Sequence, residues 1–163
     1  IIAAADLGKT GAETPADLEA DPELKSHIEH IRLAVGPRMN LGDVTKKTVP
    51  KMSLVAAPQA GGAIATRTFI PHRVHEAIGV LGAVSVATAC ALPGSVAARV
   101  AGREPKRGPQ RIDVEHPTGF FTVDIDVDVA STGFSVKRAA LLRTARKLMR
   151  GEVFVPSRAW GVS

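Results

Sequence analysis

Residues 77–92, AIGVLGAVSVATACAL, carry no charged side chain. No other stretch limits the fold as much. At 16 residues the run is short for a membrane span, which needs about 20. It is rich in Ala, Gly, Ser and Thr rather than Leu and Ile. A helix that is apolar on all sides in a water-soluble protein is buried by other elements. The small residues Gly79, Gly82, Ala83, Ala87 and Ala91 let strands approach closely. The run therefore predicts a central helix wrapped by a curved sheet.

The strands to wrap it are legible on both sides. Residues 52–57 read as one strand, 58–62 as a hairpin loop with two glycines, and 63–70 as the returning strand. Residues 120–129 alternate Phe121, Val123, Ile125, Val127 and Val129 against Thr122, Asp124, Asp126 and Asp128. Strict alternation marks a half-exposed antiparallel strand, with the acids on a solvated face. The calcium-loop spacing and glycine are missing from that acid series. Residues 95–101, 111–115 and 134–143 are further strand candidates, 102–110 is a basic loop, and 144–149 fits either a strand or a helical turn. Pro93-Gly94 stops the central helix.

Before the sheet lie two helical pieces within residues 15–35. Thr14 caps Pro15, and Asp21 caps Pro22. Ile28, Ile31 and Val35 share one face, and Gly36-Pro37 stops the second piece. Asp17, Glu19, Asp21, Glu23 and Glu29 are expected on the wet face. We read residues 1–163 as a single α+β lobe. Residues 1–48 form an opening segment with acidic helices, and 49–156 hold the sheet and central helix. The chain starts Ile1-Ile2-Ala3-Ala4-Ala5 without methionine, which reads as the middle of a longer polypeptide.

The central helix has a polar entrance, PHRVHEAIGVLGA at residues 71–83. His75-Glu76 opens like the zinc motif His-Glu-x-x-His, but Gly79 stands where the second histidine belongs. His72 and His75 supply two ligands, and zinc takes three or four. No metal is expected. A buried helix instead leaves its first backbone N–H groups without partners. Such a start binds carboxylate or phosphate, and glycines at 79 and 82 let a ligand approach the backbone. Residues 79–83 are thus either an anion pocket or a site of close packing.

Charge favours an anionic partner. Residues 1–36 hold seven acids and three bases, while 37–163 hold nine acids and eighteen bases, for a net charge of +5. Aromatic residues make up 4% and tyrosine is absent, so base-stacking platforms for nucleic acid are scarce. No zinc-finger or basic-zipper spacing occurs. One cysteine, Cys90, excludes an internal disulfide framework and suits a reducing, cytoplasmic setting. A buried lone cysteine is most often packing.

Six segments occur in order: Val49-Pro50-Lys51, Arg67 through His75, Gly79-Val80-Leu81-Gly82-Ala83, Cys90 through Gly94, Glu115-His116-Pro117-Thr118-Gly119 and Arg143 through Val153. Together they resemble the PrpF family of the diaminopimelate-epimerase-like superfamily. Asp6-Leu7-Gly8-x-Thr10-Gly11-x-Glu13 and Met39-Asn40-Leu41-Gly42-Asp43 further resemble its 4-oxalomesaconate tautomerase branch. The resemblance implies one of two similar lobes, here the C-terminal one, each a sheet curled around a central helix. It implies a cofactor-independent isomerase that moves a proton and a double bond in unsaturated di- or tricarboxylates.

In related epimerases a cysteine starts the central helix, and Gly79 stands at the matching position. The principal acid/base is therefore expected in an N-terminal lobe of the same protein, and this lobe alone should bind but not convert substrate. By the symmetry of the lobes, Lys51 is the catalytic candidate, as helper base or carboxylate contact. Substrate binding is expected from His72, His75, Gly79, Leu81, Gly82, Ala83 and Arg67. Leu81 replaces a threonine usual in relatives. No cofactor, nucleic acid or membrane partner is implied, and a homo-oligomer is compatible. A non-catalytic polycarboxylate-binding or regulatory lobe is the alternative.

Overall fold

Residues 1–104, 106–130 and 133–159 are described by a computed structural model. The chain opens with β1 (Ile2–Ala3) and a 3-10 turn, then α1 (Pro15–Glu19) and α2 (Pro22–Val35). Both helices start as their sequence dictates. Thr14 and Asp17 form a reciprocal capping box on α1. The Asp21 carboxylate accepts from the Leu24 amide on α2 at 2.9 Å. The acids are not a passive wet face. Asp21 also meets Lys9 at 2.6 Å, Glu19 accepts from the Val74 amide at 2.8 Å, and Glu29 holds Arg32.

Six strands form one sheet in sequence order: β1, β2 (Met52–Ala56), β3 (Ile64–Phe69), β4 (Gly108–His116), β5 (Gly119–Ala130) and β6 (Gly133–Leu141). The pairs β1–β2 and β3–β4 are parallel, and the other three are antiparallel. Between β3 and β4 the chain forms α3 (Val80–Ala91) and α4 (Val96–Val100). Residues 95–101, expected as a strand, are therefore helical. Ser95 explains this, because its hydroxyl accepts from the Ala98 amide and caps the turn. Strand β4 begins at Gly108 rather than 111, since Gly108 already pairs with Val127. Residues 142–156 form neither helix nor strand.

The sheet separates two cores. On one face Leu18, Leu24 and Ile28 pack against Met52, Leu54, Ala65, Phe69 and Val74. On the other, Ala83, Val86, Ala87 and Cys90 of α3 pack against Val55, Ile64, Ile112, Val114, Val123, Ile125 and Val127. Strands β2 and β3 are covered on both faces and are buried throughout, whereas β5 is buried at alternate positions. The outer face of β5 is not simply solvated. Asp124 pairs with Arg111 at 2.8 Å, and Asp128 with Arg107 at 2.8 Å and Lys137 at 3.3 Å. Part of the chain's basic excess is thus spent across the strands.

Helix α3 is central to the larger core, but its burial is one-sided. Ala83, Val86, Ala87, Cys90 and Ala91 are buried, while Leu81 is 80% exposed and Ser85 is open. The absence of charge over 77–92 signalled a core helix without revealing which side stays uncovered. No helix among the described residues is long and apolar enough to cross a membrane.

Candidate functional site

The start of α3 faces a small cleft at the end of β3. Gly79 is its N-cap, with ordinary extended dihedrals (φ −73°, ψ 157°) and no side chain to cap the helix. The first intrahelical bond is donated by the Ala83 amide to the Gly79 carbonyl at 2.9 Å. The amides of Val80, Leu81 and Gly82 precede it and have no partner among the described residues. A Cβ built at Gly79 meets nothing within 4 Å. Neither backbone strain nor packing within this chain explains a glycine there. Gly82 differs, since its Cβ would come within 3.2 Å of the Ile78 side chain.

Lys51, Thr68, Ile70, His75, Gly79, Val80, Leu81 and Gly82 line this cleft of about 170 Å³. Each wall is fixed by local structure. Lys51 immediately precedes β2, whose Met52 pairs with Phe69 at the end of β3. Thr68 lies beside Ser53, with their hydroxyls 3.1 Å apart. The chain then makes a tight excursion. The Ile70 amide donates to the Arg73 carbonyl at 2.8 Å, and the His75 amide to the Thr68 carbonyl at 2.8 Å. The Ala77 amide donates to Nδ1 of His75 at 3.0 Å, which orients the ring.

Five of the residues singled out from sequence meet here: Lys51, His75, Gly79, Leu81 and Gly82. Three stand elsewhere. Arg67 alternates with Thr66 and Thr68 on β3 and lies on the α2 side of the sheet, with Ala65 and Phe69. It is 8% exposed, and its guanidinium donates to the carbonyls of Glu13 and Thr66. It fastens the 10–13 loop to the sheet rather than reaching the cleft. His72 stands 3.8 Å from Glu29 of α2, also away from the cleft. Ala83 uses its amide within the helix and buries its methyl group in the core.

Sequence reasoning missed Thr68, and it placed a turn at Pro117-Thr118-Gly119 without linking it to the site. Once Lys51 is placed at the cleft, the pairing of β2 with β3 brings Thr68 rather than Arg67 to the helix side. The turn residues were legible, but their contact with the segment after His75 was not. The Thr118 hydroxyl donates to the Glu76 carbonyl at 3.2 Å, tying the turn to that segment. Burial pushes the His116 imidazole below its ordinary value, and the positive charge of Arg67 acts in the same direction. Glu115 is buried and accepts from the amides of Gln59, Ala60 and Gly62 at 2.7, 2.8 and 2.7 Å.

Cys90 is 1% exposed near the far end of α3, and burial pushes its thiol up to about 11. A thiol held protonated and enclosed supplies no nucleophile. No group of three or more His, Cys, Asp or Glu among the described residues is arranged to hold a metal ion.

Comparison with known proteins agrees with this architecture. The sequence profile of the PrpF protein family matches residues 1–156. A (4E)-oxalomesaconate Delta-isomerase from Novosphingobium sp. is 59% identical over 155 residues, covering 95% of this chain and 42% of that protein. A 4-oxalomesaconate tautomerase from Pseudomonas putida is 51% identical, covering 99% of this chain and 43% of that protein. The crystal structure of a methylitaconate-delta-isomerase superposes with a TM-score of 0.72 at 20% identity, over 93% of this chain and 42% of that one. The chain therefore spans less than half the length of the relatives it matches. That superposition gives the fold, an α+β arrangement consistent with the diaminopimelate-epimerase-like kind. On its sequence and its fold, the chain belongs to the PrpF protein family.

Proposed function

We propose that this chain is the carboxylate-binding lobe of a cofactor-independent isomerase acting on unsaturated di- or tricarboxylates, of the 4-oxalomesaconate or methylaconitate type. One observation carries the reading: Lys51, Thr68, His75 and the uncapped start of α3 line a single cleft. The names of the most similar relatives, an oxalomesaconate isomerase and a tautomerase, support the same chemistry.

The reaction class requires removal of a proton from carbon and its return at another position. Negative charge then develops on a carbonyl or carboxylate oxygen conjugated with that carbon. Preorganised N–H donors stabilise such charge without having to reorient during the reaction. The amides of Val80, Leu81 and Gly82 act in this way, aided by the positive end of the helix dipole. The Lys51 ammonium and the Thr68 hydroxyl hold a second oxygen. With hydrogen in place of a side chain, Gly79 leaves the amides open and supplies no proton. The group that moves the proton comes from outside residues 1–163.

Proton exchange at carbon tests this directly. The native polypeptide containing residues 1–163 is incubated in D2O with a panel of unsaturated polycarboxylates and followed by proton NMR. We expect deuterium at the allylic carbon of at least one acid, with migration of its double bond. Binding without exchange would leave only a polycarboxylate-binding lobe, and no binding by any acid would contradict the reading.

A further inference from the structure

We propose that His75 serves the cleft as a fixed Nε2–H hydrogen-bond donor that selects for a ligand oxygen, and that it is not the base of the reaction. The inference rests on the polycarboxylate reading above and assigns one side chain its role within it. The Ala77 amide donates to Nδ1 at 3.0 Å. A ring nitrogen accepts a hydrogen bond only through its lone pair, so Nδ1 carries no proton. A neutral imidazole with a bare Nδ1 has its single proton on Nε2.

The surrounding loop maintains that arrangement. His75 is held through its own amide to the Thr68 carbonyl at 2.8 Å. On one side, the Val74 amide is held by the Glu19 carboxylate at 2.8 Å. On the other, the Glu76 carbonyl accepts from Thr118 at 3.2 Å. The Ala77 amide is therefore presented to the ring by a backbone fastened on both sides. Among the described residues the ring makes only this hydrogen bond, which leaves Nε2 for a ligand.

The chemical consequence is specific. Accepting a proton from carbon at Nε2 needs a lone pair there. That tautomer would carry its proton on Nδ1 and set it against the Ala77 N–H. An Nε2–H edge instead rewards an ionised carboxylate or carbonyl oxygen and penalises an amine or amide N–H at the same place. Lys51 lines the same cleft and brings its positive charge to the same ligand.

Two measurements on the native polypeptide test the assignment. Long-range proton–nitrogen NMR of labelled imidazoles reports the tautomer at neutral pH, and we expect Nε2–H with and without trans-aconitate. His75→Asn keeps an acceptor for Ala77 but places nothing at the ε position. His75→Gln can set an amide N–H near that position. We expect trans-aconitate to bind about tenfold more weakly to His75→Asn, a loss of about 1.4 kcal/mol, and with nearly wild-type affinity to His75→Gln. An Nδ1–H tautomer, an imidazolium, or equal affinities in the two variants overturns the assignment. Failure of the wild-type protein to bind any unsaturated polycarboxylate sinks the parent reading and the role of His75 together. A wrong tautomer beside intact binding sinks the His75 assignment alone.

Discussion

Glu115 governs the 58–62 loop through one carboxylate and three amides. Burial acts to raise its proton affinity, but the Gln59, Ala60 and Gly62 N–H groups outweigh it and hold the carboxyl below its usual range. Those amides come close because residue 62 lacks a side chain. A Cβ there would lie 2.6 Å from the Glu115 Cγ and 2.9 Å from the Asp113 carbonyl oxygen. The folded value lies below the unfolded one of about 4.3, so the stability from Glu115 is complete above that pH. It is lost as pH falls through the folded value. Urea unfolding of Glu115→Gln should therefore show a shallower acid loss than wild type, with the difference confined to pH below about 5. An unchanged acid limb would mean that the three amides do not favour the ionised form.

This residue was legible only as a motif member, because its partners are 53 to 56 positions away. Arg67 was misplaced for a related reason. Alternation says that neighbours on a strand face opposite ways, but not which way faces the ligand. That choice follows from register, which no local pattern contains. His75 was singled out because it stands just before the helix start in sequence, whereas Lys51 was singled out only through the family resemblance and reaches the cleft through the pairing of β2 with β3.

Among the elements, the 43–51 segment depends on a single buried side chain of α2. Arg32 is wholly buried, and its Nη1 donates to the carbonyls of Val44, Lys47 and Val49 at 3.0, 3.1 and 2.6 Å. Its Nε and Nη2 grip the Glu29 carboxylate at 2.7 and 2.8 Å. Gly36 lets this segment pack, since a Cβ there would meet the Val44 side chain at 2.5 Å. The segment delivers Lys51 to the cleft. Arg32→Met removes the guanidinium from the Val44, Lys47 and Val49 carbonyls and the Glu29 carboxylate, leaving Val44 only the Lys47 amide at 2.9 Å and Glu29 only His72 at 3.8 Å. It should lower unfolding free energy by about 3 kcal/mol in urea titration and weaken trans-aconitate binding as Lys51 loses its anchor. Stability within about 0.5 kcal/mol of wild type would contradict this account of the segment.

Helix starts were the most legible elements, because a side-chain cap is local chemistry: Thr14 and Asp21 were each identified from sequence. The 95–101 piece was not, because five helical residues are too few for a period to declare itself. The exposed stripe at Leu81 and Ser85 was also hidden, since an apolar run looks the same whether or not every side is covered.

At the scale of the molecule, one sheet carries two helical layers and places the cleft where β2, β3 and α3 meet. The chain spans under half the length of its relatives, so the proton-moving group assigned outside residues 1–163 is compatible with their size. On the proposed reading, residues 1–163 contribute anion recognition by backbone amides, with Lys51 and His75 beside them. Amide spectra of the native polypeptide, titrated with trans-aconitate, read those groups one by one. We expect saturable shifts at Val80, Leu81 and Gly82 that vanish together in Lys51→Ala when trans-aconitate is low. Shifts confined to the basic 99–111 stretch, or none at residues 80–82 while the acid binds, would contradict that reading.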